Sequence, residues 1–269
     1  MKIFKVLNFI INEPSNKGQR LKRILYAIGW QIWKRTIKKP LIIDLDNGMK
    51  YIAFTNTPMG SFPVYARVYD SKNILFLRRK FKKNNGIMID VGANMGIYSL
   101  LLNDNFKKFI LFEPIRETAK ICEINMKLNS IDYELYNIAL GNEKGEIKFQ
   151  FKGNFDSTAK IERKEGNYKV RIDKLDDIID KKLYKDIKFM KIDVEGFELE
   201  VLKGAENIIR ESSIELIQFE RLKTTPIEPL LKFFKDRKWQ IFTLDSKGNL
   251  SYSQELINNS HDLFAIREI

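Results

Sequence analysis

The chain has one cysteine, one histidine and no uninterrupted apolar run approaching the eighteen or so residues that a membrane-spanning helix needs. The lone thiol, Cys122, excludes an intrachain disulfide and any cysteine-rich metal site. The apolar spacing across 117–128 places it on a helix, with no chemistry expected of it. The amino terminus lacks the apolar block and small-residue cleavage site of a signal peptide, so the expected location is cytoplasmic, with the inner face of the membrane as its variant. Acids are scarce at the start. Residues 1–40 hold ten Lys or Arg against Glu13 alone, which is +9 of the total +12, so the other 229 residues carry only +3. The basic excess thus lies outside the region where chemistry is expected, and no Asn-Pro-Pro-aromatic or Asp-Pro-Pro-aromatic signature occurs. Nucleic acid is therefore not an expected partner.

What is present suits one sizeable domain with an appendage: 269 residues, 44% apolar and 12% aromatic. Residues 1–83 read as an amino-terminal segment and 84–269 as the main domain. In the first, Leu21, Ile24, Leu25, Ile28, Ile32 and Trp33 fall near one helical stripe flanked by Lys and Arg. A basic amphipathic helix over 19–39 either packs its stripe on the domain or lies on an anionic membrane surface. Alternation around Asn47-Gly48 predicts a hairpin over 41–54, a candidate cap on one side of the site. The spacing predicts one helix over 64–81, with Tyr65, Val68, Tyr69, Leu75 and Leu77 turned inward. From residue 87 strands alternate with helices; strands are expected at 87–91, 108–113, 133–138, 187–193, 214–220, 239–244 and 262–267, with a β-rich insertion around 146–172. Such alternation implies an α/β fold, a mostly parallel sheet of seven strands with helices on both faces.

The segment Ile87-Met88-Ile89-Asp90-Val91-Gly92-Ala93-Asn94-Met95-Gly96-Ile97-Tyr98-Ser99 is the most informative stretch. A buried strand ends in an acid, two glycines turn the backbone and a helix follows, the outline of a nucleotide crevice whose turn offers unpaired backbone N–H groups. A dinucleotide fingerprint from Gly92 requires glycines at 94 and 97, and the chain has Asn94 and Ile97. The spacing instead resembles motif I of class I S-adenosylmethionine (SAM) methyltransferases. That resemblance implies that Gly92, Asn94 and Gly96 let backbone approach the methionine part of SAM, and that Asp90 orients its cationic end directly or through water. A second strand ends in Glu113, 23 residues after Asp90, the distance at which an acid accepts hydrogen bonds from ribose hydroxyls. The turn from Asn137 to Gly145, containing Ala139 and Leu140, is a candidate wall beside an adenine. A fourth strand ends in Asp193-Val194-Glu195, two acids placed for general-base work or for a divalent cation.

Taken in order, Asp90 to Gly96, Phe112-Glu113-Pro114, Ala139-Leu140-Gly141, Leu175-Asp176-Asp177, Lys191 to Glu198 and the late Glu220 resemble the FkbM family of SAM-dependent methyltransferases over about residues 85–267. The resemblance implies a Rossmann-like class I fold, SAM as cofactor, and methyl transfer to a hydroxyl, often that of a sugar in a glycan or glycoconjugate. Asp193 is then the candidate base or acceptor-orienting group, with Glu195 and Glu220 as alternatives; no resident metal is expected. His261 opens the last strand, where a structural hydrogen bond competes with catalysis. Two other functions share parts of the pattern: an NAD-dependent sugar oxidoreductase, which uses Glu113 alike, and a non-catalytic glycolipid-binding module on the same fold.

Overall fold

The computed structural model describes residues 3–82, 86–150, 160–161, 167–222 and 224–267. The chain opens with α1 (Ile3–Asn12), α2 (Arg20–Thr36), the strands β1 (Leu41–Asp44) and β2 (Lys50–Ala53), then α3 (Pro58–Tyr65) and α4 (Ser71–Lys80). The alternating part begins with β3 (Ile87–Val91), α5 (Ile97–Leu101), β4 (Lys108–Phe112), α6 (Arg116–Leu128) and β5 (Tyr133–Tyr136). An insertion follows, made of β6 (Ala139–Leu140), β7 (Gly145–Gln150), β8 (Lys160–Ile161) and β9 (Tyr168–Asp173). The chain then continues through α7 (Leu175–Ile178), β10 (Ile187–Ile192), α8 (Glu198–Lys203), α9 (Glu206–Glu211) and β11 (Leu216–Glu220). It ends with α10 (Glu228–Lys235), β12 (Trp239–Leu244), β13 (Leu250–Ser251), α11 (Gln254–Asn259) and β14 (Asp262–Arg267).

The main sheet has the order β13-β12-β14-β11-β10-β3-β4-β5. β3, β4, β5, β10 and β11 run parallel, and β14 is antiparallel to both of its neighbours. Every residue of β3 is buried, as a central strand covered on both faces requires. The seven expected strands all form, within two residues of their expected bounds. The sheet nevertheless has eight strands, not seven, because the two-residue β13 turns back onto the edge of β12; two residues are too short to leave a periodic signal. From β3 the chain steps outward to β4 and β5, then returns to β10 on the other side of β3. This reversal opens a crevice beyond Val91 and Ile192, the carboxyl ends of β3 and β10.

The expected insertion is a second sheet of order β6-β9-β7-β8; the parts of it at 151–159 and 162–166 lie outside the described residues. Its small core joins Ala139, Ile147, Phe149, Val170 and Ile172 to Ile115 of the main unit. The hairpin forms as expected, with Gly48 at φ +81° in its turn. It does not cap the site: Ile52 N donates to Asn125 Oδ1 (3.0 Å) and Lys50 N to Asn129 Oδ1 (2.7 Å), which fasten it to α6, and none of its residues lines the crevice.

The single helix expected over 64–81 is instead two, α3 and α4, separated by a non-helical stretch of bends and a turn at 66–70. The break is imposed from outside the segment. Asn16, fully buried, donates from Nδ2 to Ile10 O (3.1 Å) and Tyr65 O (2.9 Å) and accepts from Arg67 N (2.8 Å), while Val68 N donates to Ser15 Oγ. These bonds give the backbone partners that a continuous helix would have supplied internally. α4 then covers the sheet: Ile74, Phe76, Leu77 and Phe81 share one apolar cluster with Phe189, Phe242 and Phe264, so the core runs across residue 83 without a division.

Asn16→Ala leaves three backbone groups unpaired in the interior, each costing about 1–3 kcal/mol. Urea unfolding is expected to show a stability loss of at least about 2 kcal/mol, and a loss below about 0.5 kcal/mol would contradict this role for Asn16.

Candidate active site

A cleft of about 800 Å³ opens at the carboxyl ends of β3, β4, β10 and β11. Gly92, Asn94, Glu113, Ala139, Leu140, Asp193, Glu195 and Glu220 all lie on its wall. Of the candidate residues, Asp90 and Gly96 stand behind the wall instead. Asp90 is fully buried, accepts from Ser99 Oγ (3.0 Å) and has its other oxygen 3.7 Å from Lys191 Nζ. Its influence on a ligand therefore passes through Lys191. Gly96, at φ +79°, packs on α6, where a Cβ would come within 2.9 Å of Cys122 Sγ. Cys122 is a buried helix residue, as expected.

The glycine turn differs from expectation in one respect. Its N–H groups are already used: Gly92 N and Ala93 N donate to Phe112 O, Asn94 N to Glu113 Oε2, Met95 N to Asn94 Oδ1 and Gly96 N to Ala93 O. With its donors closed internally, the turn offers no cradle for a pyrophosphate. What it offers is shape. Gly92 has φ +78°, and a Cβ there would sit 1.9 Å from Asp193 O, so only glycine lets β3 and β10 close on each other at this point. Glu113 holds the turn by accepting from Asn94 N (3.0 Å) and Ile115 N (2.9 Å), which makes it at once a cap and a cleft group. Burial pushes its carboxyl up to about 7 against those two bonds. Each oxygen keeps a lone pair for a vicinal diol. Beside it Ile115, Ile138, Ala139 and Leu140 form an apolar wall that Phe149 of the insertion extends.

The other end of the cleft is acidic. Lys191, buried on β10, reaches Asp193 Oδ2 (3.0 Å) and Asp90, with the Tyr98 ring 5.0 Å from its Nζ. Burial opposes the charge on Lys191, but the two carboxylates outweigh it and hold the ammonium ionised. Burial likewise opposes ionisation of Asp193, which lies deep in the cleft with 39% of its side chain open to it; Lys191 outweighs this and brings its pKa below the ordinary range. Glu220 shows the reverse. Burial and then the negative Asp193 push it up to about 9, so at neutral pH it carries a proton and hydrogen-bonds to Asp193. His261 Nδ1 lies 3.0 Å from Glu220 Oε1. The second glutamate of the 193–198 segment is structural: Glu198 accepts from Gly196 N (3.0 Å) and Val194 N (3.3 Å), closing the loop that carries Glu195 at φ +55°. Asp176 is structural too, accepting from Asn207 N and Ile208 N at the start of α9.

Sequence reasoning missed Lys191, Tyr98, Gln218, Asp70 and Asp262 on this wall. Lys191 was within reach, since strand alternation puts it on the same face as Asp193. Asp70 was hidden by the unbroken-helix reading. It takes a left-handed conformation before α4 and accepts from Tyr98 Oη (2.6 Å).

The sheet order, the switch point and a cleft that pairs a ribose-type acid with a glycine turn define a class I methyltransferase fold. A profile of the Methyltransferase FkbM domain matches residues 90–238. The chain belongs to the FkbM methyltransferase family, and its cofactor is accordingly SAM. No curated protein matches the chain at a significant level. Among solved structures, methyltransferase FkbM from Methylobacillus flagellatus KT is 18% identical with TM-score 0.46 over 68% of this chain. The match spans 43% of that protein, less than half its length. Ribosomal protein L11 methylase from Lactobacillus delbrueckii subsp. bulgaricus is 14% identical, with TM-score 0.42, over 74% of this chain and 79% of its own. Precorrin-6y C5,15-methyltransferase from Geobacter metallireducens GS-15 is 13% identical, with TM-score 0.42, over 74% and 88%. The cleft fits SAM in chemistry: Glu113 for ribose hydroxyls and the apolar wall for adenine.

Because Glu113 titrates near 7, it is a neutral carboxyl below that pH and a carboxylate above it. A charged acceptor strengthens its ribose bonds by roughly 1 kcal/mol, or about fivefold. Calorimetric titration with S-adenosylhomocysteine is expected to show tighter binding at pH 8 than at pH 6, and Glu113→Gln to remove the difference. An equal pH response in the variant would assign the titration elsewhere.

Proposed function

We propose that the protein is an O-methyltransferase that moves the methyl group of SAM onto a hydroxyl of a sugar in a glycan or glycoconjugate. The observation that carries this reading is the composition of the open end of the cleft. Asp70, Asp193, Glu195, Glu220 and Asp262 stand there with the Tyr69 and Phe62 rings. Carboxyl groups bind vicinal hydroxyls in pairs, and aromatic faces pack on the C–H face of a sugar ring. The closed turn at Gly92 disfavours the dinucleotide of the oxidoreductase alternative.

The bound cofactor supplies an electrophilic methyl for in-line displacement. The chain's own work is to position an acceptor oxygen and receive its proton. Asp193, held ionised by Lys191, accepts the hydrogen bond of the acceptor hydroxyl. Its low basicity is no obstacle, because the hydroxyl becomes strongly acidic as its oxygen gains the new bond. Glu220, protonated at neutral pH, donates to Asp193 and spares it a second negative charge. Glu195 closes the rim. His261 faces Glu220 and fixes its orientation.

Radiolabelled methyl transfer to cell glycan extracts, with mass spectrometry of the product, tests the acceptor class; labelling confined to protein or RNA would refute it. With a working acceptor, Asp193→Asn is expected to lower kcat by roughly 100-fold or more while S-adenosylhomocysteine affinity stays within about threefold. Full turnover in that variant alongside inactivity of Glu195→Gln would move the role to Glu195. The rate is also expected to fall as pH rises through about 9, where Glu220 loses its proton, and Glu220→Gln to flatten that alkaline limb. An unchanged limb in the variant would show that Glu220 does not set it.

A further inference from the structure

The amino-terminal helix α2 packs on the protein by a different face from the one its stripe suggests. Ala27 and Trp30 are its buried residues, and Trp30 Nε1 donates to Ser61 Oγ of α3 (3.1 Å). Ile24 and Trp33 are half-buried against the same core. Arg23 and Lys34 also turn inward, and Lys34 Nζ donates to Ser61 Oγ. What remains outside is a second, unpartnered apolar row: Leu21, Leu25, Ile28 and Ile32 are 73%, 59%, 52% and 58% exposed. Their spacing of four, three and four residues puts them on one line along the helix. Phe4 of the neighbouring α1 is 83% exposed.

The charges around this row are of one sign. Arg20, Lys22 and Arg35 are exposed on α2, with Lys38 and Lys39 just beyond its end, and between Glu13 and Asp44 there is no acid. An apolar line of side chains deep enough to enter acyl chains, edged by cations at headgroup height, is complementary to an anionic lipid surface. A second copy of this chain is the poorer occupant, since two such faces would bring like charges together. We propose that the exposed face of α2, together with Phe4, docks the protein peripherally on an anionic bilayer. No residue of α2 lines the cleft, but α1 and α3, which pack on α2, border it: the wall includes Phe9 of α1, Glu13 just after it, and Met59 and Phe62 of α3. Docking thus holds the cleft close to a surface where lipid-borne acceptors are found. The docking itself does not depend on the sugar reading, because it is measured without an acceptor.

Full-length protein is sedimented with vesicles of phosphatidylcholine alone and of phosphatidylcholine with phosphatidylglycerol. Binding to the anionic vesicles is expected to exceed binding to neutral ones by about tenfold or more at low salt and to weaken in high salt. Leu25→Ser with Ile28→Ser is expected to lower it at least about fivefold, while the thermal shift by S-adenosylhomocysteine stays that of the wild type, as befits exposed positions. Wild-type protein left in the supernatant with anionic vesicles overturns the proposal. So does equal sedimentation of the variant. A wild-type dimer in light scattering that the double substitution converts to monomer would give the face to a second copy and overturn it as well.

Discussion

A single buried ammonium governs the centre of this molecule. Lys191 on β10 stands in register with Asp90 on β3 and two residues before Asp193, so one side chain joins the two strands at the point where the sheet reverses direction. Removing water from three charges is costly unless each finds a partner. Asp90 has Ser99 and Lys191, Asp193 has Lys191 and the cleft, and Lys191 has both acids and the Tyr98 ring. The fold and the protonation pattern of the site depend on the same contact. With Lys191 in place Asp193 stays ionised, and the ionised Asp193 in turn keeps a proton on Glu220.

The two ends of the cleft follow from this arrangement by different physics. At the cofactor end the backbone of the glycine turn is satisfied internally, so recognition rests on Glu113 and on apolar walls. That combination suits a ligand with a sugar, a base and a cationic sulfur, and has no answer to a pyrophosphate. At the other end the surface is dense in carboxyl groups of differing protonation. Phe9 of α1 and Met59 and Phe62 of α3 border the cleft, and α2, packed on both helices, carries the basic apolar face outward.

The alternating half of the fold was legible because buried strands and amphipathic helices leave strong periodic signals; β3, β12 and β14 match their expected bounds residue for residue. Gly92, Glu113, Asp193 and Glu220 were legible because each ends a strand of that pattern. The break between α3 and α4 was not, since Asn16, some fifty residues away, imposes it. The closure of the turn's N–H groups was hidden likewise, because Phe112 O and Glu113, its partners, belong to the next strand. Helical spacing gave the stripe on α2 correctly but not the face that packs. Trp30, off that stripe, buries itself through its bulk and its bond to Ser61, and tertiary contact overrode the amphipathic pattern.

A double-mutant cycle between Asp90→Asn and Lys191→Met, read by urea unfolding, addresses the central contact most directly. Breaking one side of a buried pair costs roughly 3–5 kcal/mol, because the other charge is left alone. Lys191→Met is therefore expected to be strongly destabilising, and adding Asp90→Asn to recover at least about 1 kcal/mol of that loss. Additive losses within about 0.5 kcal/mol would show that the two residues do not act together, and the account of the site built on Lys191 would be contradicted.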